Sequence, residues 1–126
     1  MSIVGIGTDI VQINRIEQSF HRFEQRFINK VYTPAEYSLA QQRGTCRRLA
    51  MFFAAKEATA KALGTGFIGF GMKDVEVIYL DSGKPEIILH GKAKIKAKQL
   101  GIAHIHVSLT DDAGAAMAFV IAETKP

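Results

Sequence analysis

Lys56, Glu57 and Lys61 lie inside "FFAAKEATAKALGTG" (52–66), one of the most alanine-rich and apolar stretches of the chain. At about 100° per residue on a helix, Glu57 and Lys61 share a stripe with Ala50, Phe53 and Ala54, while Lys56 points a quarter-turn away. Two readings compete. An ordinary i,i+4 ion pair between Glu57 and Lys61 on a solvated strip stabilises a helix by about 0.2 to 0.5 kcal/mol. If the stripe instead faces a cleft, a desolvated carboxylate needs a compensating cation, and a divalent ion supplies it together with a second carboxylate.

Asp9 is the natural second carboxylate. Residues 3–8, "IVGIGT", read as a short buried strand that Asp9 ends, with Gly5, Gly7 and Asp9 on one side by the two-residue alternation. The two glycines leave room on that side for another backbone or a ligand. Asp9 can also be read as a helix N-cap with Gln12 at the third helical position, worth about 1 kcal/mol. Together, Asp9 and Glu57 would offer two hard oxygen ligands, the usual protein share of a Mg²⁺ shell, and Lys61 beside them would neutralise phosphate oxygens.

Several elements must position these residues. Ile13, Ile16, Phe20, Phe23 and Phe27 keep a helical spacing while Arg15, Arg22 and Arg26 fall on other positions, which predicts an amphipathic helix with a basic face, broken near Phe20. At "TPAE", Thr33, Pro34 and Glu36 form a capping box that starts a new helix, ending near Gly44. A central helix covers 47–63, with Gly64 as its left-handed cap. "DVEVIYL" and "PEIILHG" form a hairpin through "DSGK", the basic helix "KAKIKAKQL" stops at Gly101, and "HIHVSLT" pairs with "AMAFVIAE" through "DDAG". The string is strand, helices, hairpin, helix, hairpin: a small single α+β domain over residues 1–126, antiparallel strands on a long central helix.

Bulk properties narrow the function. Apolar residues make up 48% of the 126, with eight Phe, enough for a core. One cysteine, Cys46, has no intrachain partner, and "MSIVGIGTDI" lacks a basic leader or an apolar run long enough for export, so a reducing, cytoplasmic setting is expected with no membrane anchor. A net charge of +4 favours acidic partners. Nucleic acid is not expected, since there is no Trp, no strand interleaving aromatic and basic residues, and no nucleic-acid motif. "GTGFIG" at 64–69 fits the dinucleotide pattern G-x-G-x-x-G but follows a helix instead of joining strand to helix, which rejects a Rossmann site. The lysines at 92, 94, 96 and 98 read as a solvated helix face, and His90, His104 and His106 as strand packing.

Taken together, "GIGTDIV", "FAAKEATAKALGTG", "SGKP" and "HVSLTDDAGAAMAFVIAE" resemble bacterial holo-[acyl-carrier-protein] synthases of the 4'-phosphopantetheinyl transferase superfamily, over nearly the whole chain. The resemblance implies transfer of the 4'-phosphopantetheine arm of coenzyme A to a serine of an acyl carrier protein, releasing adenosine 3',5'-bisphosphate, with Mg²⁺. It implies Asp9 and Glu57 as metal ligands and Lys61 as the diphosphate cation. The serine's proton acceptor stays open between Glu57 and a metal-held water. The resemblance also implies coenzyme A contacts at Gly64, Thr65 and Gly66, and the adenine end beside the turn at Gly83, Lys84 and Pro85. Arg15, Arg22 and Arg26 would meet the acidic carrier, and the chain would form a homotrimer with active sites between subunits. "AGAAMAFVIA" suits a closely packed strand at such a seam.

Two departures stand out. Phe52 and Asp111 occupy positions where many relatives have Arg and His, which removes two potential phosphate-binding groups and leaves Arg47, Arg48 or Lys84 to hold the 3'-phosphate. Rival readings are another Mg²⁺-dependent phosphotransferase using the same carboxylates, or a small basic nucleic-acid-binding module.

Overall fold

The computed structural model describes residues 1–125. Its elements are β1 (Ile3–Gln12), α1 (Ile13–Phe23), α2 (Gln25–Val31), α3 (Pro34–Gln41), α4 (Thr45–Ala62), a single 3₁₀ turn (Met72–Asp74), β2 (Val75–Tyr79), β3 (Pro85–Leu89), α5 (Gly91–Gln99), β4 (Ile102–Asp112) and β5 (Ala115–Thr124). The α+β reading holds, with both hairpins and the central helix where expected.

β1, β5 and β4 form one antiparallel sheet with β5 in the middle, while β2 and β3 pair as a separate hairpin. The register sets Gly7 opposite Val120, Asp9 opposite Ala118 and Gln12 opposite Ala115. Val107 faces Val120 on the other side. Alternation then puts Val11, Ala116, Ala118, Val120 and Ala122 on the inner face, all buried against α4.

Small residues on both partners explain how close that packing is. α4 buries Ala50, Ala54, Ala55, Ala58 and Ala62. A Cβ on Gly7 would overlap the carbonyl oxygen of Ala58, and one on Gly5 that of Ala62. β1 therefore lies directly on the helix backbone, an approach that only glycine permits.

Three boundaries differ from the sequence expectation. β1 does not end at Asp9 but continues to Gln12, because β5 supplies partners along its whole length. Gln12, not Asp9, thus stands at the N-cap of α1, and it makes no side-chain cap bond. The break in the first helix falls at Glu24, whose φ of 47° lies outside helical space, instead of near Phe20. α3 closes at Gln41, ahead of Gly44, which sits in left-handed backbone (φ 58°) at the N-cap of α4. The Thr33 and Glu36 capping box is formed, with Thr33 N–H donating to Glu36 Oε1 at 2.8 Å and Glu36 N–H to Thr33 Oγ1 at 3.2 Å.

β1 is also less buried than its apolar sequence suggests, since Ile6 and Ile10 point outward and are 55% and 57% exposed. His90 lies outside the strands at the N-cap of α5, while His106 sits on β4 and reaches across to β5. Each is surface-exposed, with Nε2 facing a carboxylate, Glu76 at 3.0 Å and Glu123 at 3.2 Å.

Gly7→Ala tests the close contact. The added methyl meets backbone, which cannot rotate aside, so a loss of about 1 to 3 kcal/mol in urea unfolding is expected. An unchanged midpoint would mean that β1 can stand off from α4.

Candidate active site

α4 and β1 run past one another so that Gly5 meets the Ala62 end of the helix and Gly7 meets Ala58. Asp9 is the next residue on the same face of β1, and Glu57 lies one position before Ala58. Both line one cleft of about 300 Å³ with Ile10, Val11, Arg15, Ile16, Ser19, Phe27 and Phe53. The helix stripe carrying Phe53 and Glu57 thus faces a cleft, as the second sequence reading required.

The electrostatics of the cleft follow from these neighbours. Burial pushes the Glu57 carboxyl above its ordinary range, the nearby Asp9 carboxylate pushes it further, and Lys61 opposes both. Lys61 does not form the helical i,i+4 pair with Glu57. Its ammonium crosses to β1, donating to the Thr8 carbonyl at 2.9 Å and to Asp9 Oδ1 at 3.1 Å, with 54% of the side chain exposed. Among the described residues, no group of three or more His, Cys, Asp or Glu comes together as a ready metal cage. Two carboxylates with one incoming lysine are what the fold assembles.

Gly64 and Gly66 follow α4 in left-handed backbone (φ 78° and 58°), and Gly64 N–H caps the Lys61 carbonyl at 3.0 Å. Between them Thr65 Oγ1 donates to the Gly66 carbonyl at 2.8 Å. Gly83 forms the expected turn, its N–H donating to Leu80 O at 2.8 Å. Lys84 and Pro85, however, line a different cleft of about 320 Å³ with His104 and His106. One chain does not bring that turn to Asp9 and Glu57.

The arginines divide. Arg15 belongs to the Asp9 and Glu57 cleft. Arg26 lines an adjoining groove with Ser19, Phe23, Phe27 and Lys30, and Ser19 and Phe27 are common to both hollows. The guanidinium groups of Arg22 and Arg26 stack on the exposed Phe23 ring at 5.1 and 5.5 Å. Of the alternatives for a 3'-phosphate, Arg47 is held by Asp111 through two bonds of 2.9 Å. Arg48 stacks over Tyr79 at 5.1 Å and its buried Nε lacks a partner. Phe52 is fully buried against Tyr79.

Sequence reasoning missed what Lys56 does. It is wholly buried and paired with Glu36, also wholly buried, at 2.8 Å. The only signal was a charge inside an alanine-rich helix together with a capping-box glutamate, and no spacing rule connects residues twenty positions apart. Of the two residues that join the hollows, Phe27 reads from the sequence only as helix packing and Ser19 is not singled out at all.

Comparison with known proteins follows the same lines. Residues 5–120 match the model of the 4'-phosphopantetheinyl transferase superfamily. The chain is 41% identical to the holo-[acyl-carrier-protein] synthase of Maridesulfovibrio salexigens over 122 residues, spanning 96% of this chain and 98% of that one. With the corresponding protein of Desulfovibrio desulfuricans it shares 46% identity over the same spans. It superposes on the crystal structure of holo-[acyl-carrier-protein] synthase from Neisseria meningitidis with a TM-score of 0.90 and 37% identity, covering 98% and 100% of the two chains. The Helicobacter pylori synthase in complex with coenzyme A gives a TM-score of 0.83 at 35% identity, covering 94% and 99%. With likeness running nearly end to end in sequence and in fold, the chain belongs to the 4'-phosphopantetheinyl transferase superfamily.

Proposed function

We propose that this chain, acting as one domain, transfers the 4'-phosphopantetheine arm of coenzyme A to a serine hydroxyl of an acyl carrier protein. The observation that carries the reading is the meeting of Asp9 and Glu57 in one cleft, in a chain whose relatives are holo-[acyl-carrier-protein] synthases. In the reaction a serine Oγ–P bond forms at the β-phosphorus and the bridging P–O bond breaks. Adenosine 3',5'-bisphosphate leaves, and the hydroxyl proton passes to a base.

Mg²⁺ fits the donor set. The two carboxylates are hard oxygen ligands, and burial, with the Asp9 carboxylate adding to it, holds the Glu57 carboxyl above its ordinary range, a cost that a cation between the two would relieve. When bound by Asp9 and Glu57, the ion would neutralise charge on the diphosphate. Lys61 engages two acceptors in this structure, so its third N–H and its exposed ammonium can be aimed at a phosphate oxygen. Lys61 would then meet charge that grows on the leaving diphosphate oxygens, the kind of positioning on which phosphoryl transfer depends. Gly64, Thr65 and Gly66 begin three residues beyond Lys61 and would let backbone come close to the cofactor. Arg15, Arg26 and Lys30 border the joined hollows and Arg22 stacks on the Phe23 ring beside them, a basic rim suited to an acidic carrier.

A homotrimer accords with the outer face of the β1–β5–β4 sheet. Ile6, Ile10, Met117 and Phe119 are each 43% to 57% exposed on adjacent strands, which is the apolar surface a second copy would cover. Contact of Gly83, Lys84 and Pro85 with the adenine end needs a ligand that bridges two copies. A cytoplasmic setting agrees with the free Cys46 and with the absence, among the described residues, of any helix long and apolar enough to cross a membrane.

Incubation with coenzyme A, Mg²⁺ and an apo carrier should add phosphopantetheine to the carrier, read by intact mass; no gain would favour another phosphotransferase. Glu57→Gln and Asp9→Asn should each lower kcat/KM by about a hundredfold or more with circular dichroism unchanged. A raised folded pKa means that folding favours protonated Glu57, a stabilisation present below its unfolded pKa and lost as pH rises through the folded one. Without Mg²⁺ at neutral pH, Glu57→Gln should therefore melt no lower than the parent; a clear drop would argue against the strained carboxylate. Phe119→Glu should shift light scattering from trimer toward monomer, and an unchanged mass would place the seam elsewhere.

A further inference from the structure

Lys56 has no exposed surface, so it touches no substrate. All three of its N–H bonds are engaged: Glu36 Oε1 at 2.8 Å, the Met72 carbonyl at 3.0 Å and the Val75 carbonyl at 2.6 Å. Glu36 in turn accepts from Thr33 N–H at 2.8 Å and from Val77 N–H at 2.7 Å. The start of α3, the middle of α4 and the chain entering β2 converge on one satisfied buried pair. Stability alone does not demand such a pair, because apolar replacements of similar volume often serve equally well.

What the pair holds is the far end of residues 64–71. That segment leaves α4 just beyond Lys61 and carries Gly64, Gly66 and Gly69 at φ 78°, 58° and 91°, with open space around each. Ile68 is 82% exposed. The edge-to-face pair Phe67 and Phe70 fixes part of the loop in a small second core with Leu63 and Val75. A loop so rich in glycine has large conformational freedom, and its position depends on where its ends are fastened. Its start is fastened by Gly64 and Gly66 N–H to Lys61 and Ala60 carbonyls. Its end is fastened by Gly71 N–H to Asp74 Oδ2 at 3.2 Å and by Lys56 on Met72 and Val75.

We propose that Lys56, held by Glu36, is a positioning residue that sets the glycine loop 64–71 beside Lys61 for the phosphates of coenzyme A. The inference rests on the reading of this loop as a cofactor contact. It also gives the neighbouring residues of α4 complementary tasks: one turn of helix directs the Glu57 carboxylate to the cleft and the Lys56 ammonium to the loop's far anchor.

The test uses the full chain with coenzyme A, Mg²⁺ and apo carrier. The double variant Lys56→Met/Glu36→Gln removes both charges and retains an acceptor at position 36. It should keep the parent's circular dichroism, raise the KM for coenzyme A about tenfold, and leave kcat within about twofold with the carrier KM unchanged. Asp74→Ala loosens the same end without touching the buried pair and should raise the coenzyme A KM about threefold. Amides of 64–71 should exchange faster in both variants while α4 keeps its protection. A merely structural role would lower the active fraction and hence kcat, with KM untouched. An unchanged coenzyme A KM in either folded variant, or unchanged loop exchange, overturns the proposal. If the double variant does not fold, Asp74→Ala decides by the same criteria. If the parent itself fails to transfer, the reaction reading falls, and the exchange rates, which need no turnover, still decide what Lys56 does.

Discussion

β1 can reach Glu57 with Asp9 only because it lies on the bare backbone of α4. Gly5 and Gly7 face the carbonyls of Ala62 and Ala58 with no side chain between them, and the alanines of α4 present a surface nearly as smooth. Even a methyl at either glycine would overlap a helix carbonyl and push the strand away, and two carboxylates separated by some fifty positions would no longer be held to one cleft. The same contact orders the sheet, because β5 pairs with β1 along nearly its full length and β4 pairs with β5. A packing constraint thus becomes an electrostatic one. Two acids share one cleft, and the nearest lysine reaches across to Asp9, leaving Glu57 with its carboxyl raised by burial and by the Asp9 carboxylate.

Three charges within six residues of α4 have three different fates, and helix geometry separates them. Lys56 turns inward, and its burial is tolerable because every N–H finds an acceptor, one of them a carboxylate. Glu57 turns to the cleft, half-removed from water and facing a like charge. Lys61, one turn on, stays at the rim, its ammonium bonded to β1 and half its side chain in solvent. The alanine-rich background lets β1 approach the charged positions of the helix.

The fold was largely legible because its signals were local. The Thr33 capping box, the left-handed Gly64 and the turn at Gly83 each follow from the chemistry of a few adjacent residues, and each formed as expected. The candidate site was half legible. Asp9 and Glu57 could be matched because glycines marked a face of close approach and because the motif pair resembled a known family. The bonds actually made were not. Nothing in the spacing distinguishes a Lys61 that pairs along its helix from one that crosses to Asp9, or a Lys56 in water from one bonded to Glu36, since long-range partners depend on how α3, β1 and β2 pack. The residues that the family resemblance sets beside the adenine end show the opposite limit: the Gly83 turn formed as expected, but in one chain Lys84 and Pro85 line a separate cleft.

The most direct measurement of the central claim follows the side-chain carboxyl carbon of Glu57 by NMR through a pH titration, with and without Mg²⁺, in the parent and in Asp9→Asn. The account expects Glu57 to titrate above its ordinary range in the metal-free parent, to fall when Mg²⁺ is added, and to lie lower in Asp9→Asn without the ion. A Glu57 titration that ignores both the metal and the loss of Asp9 would contradict it.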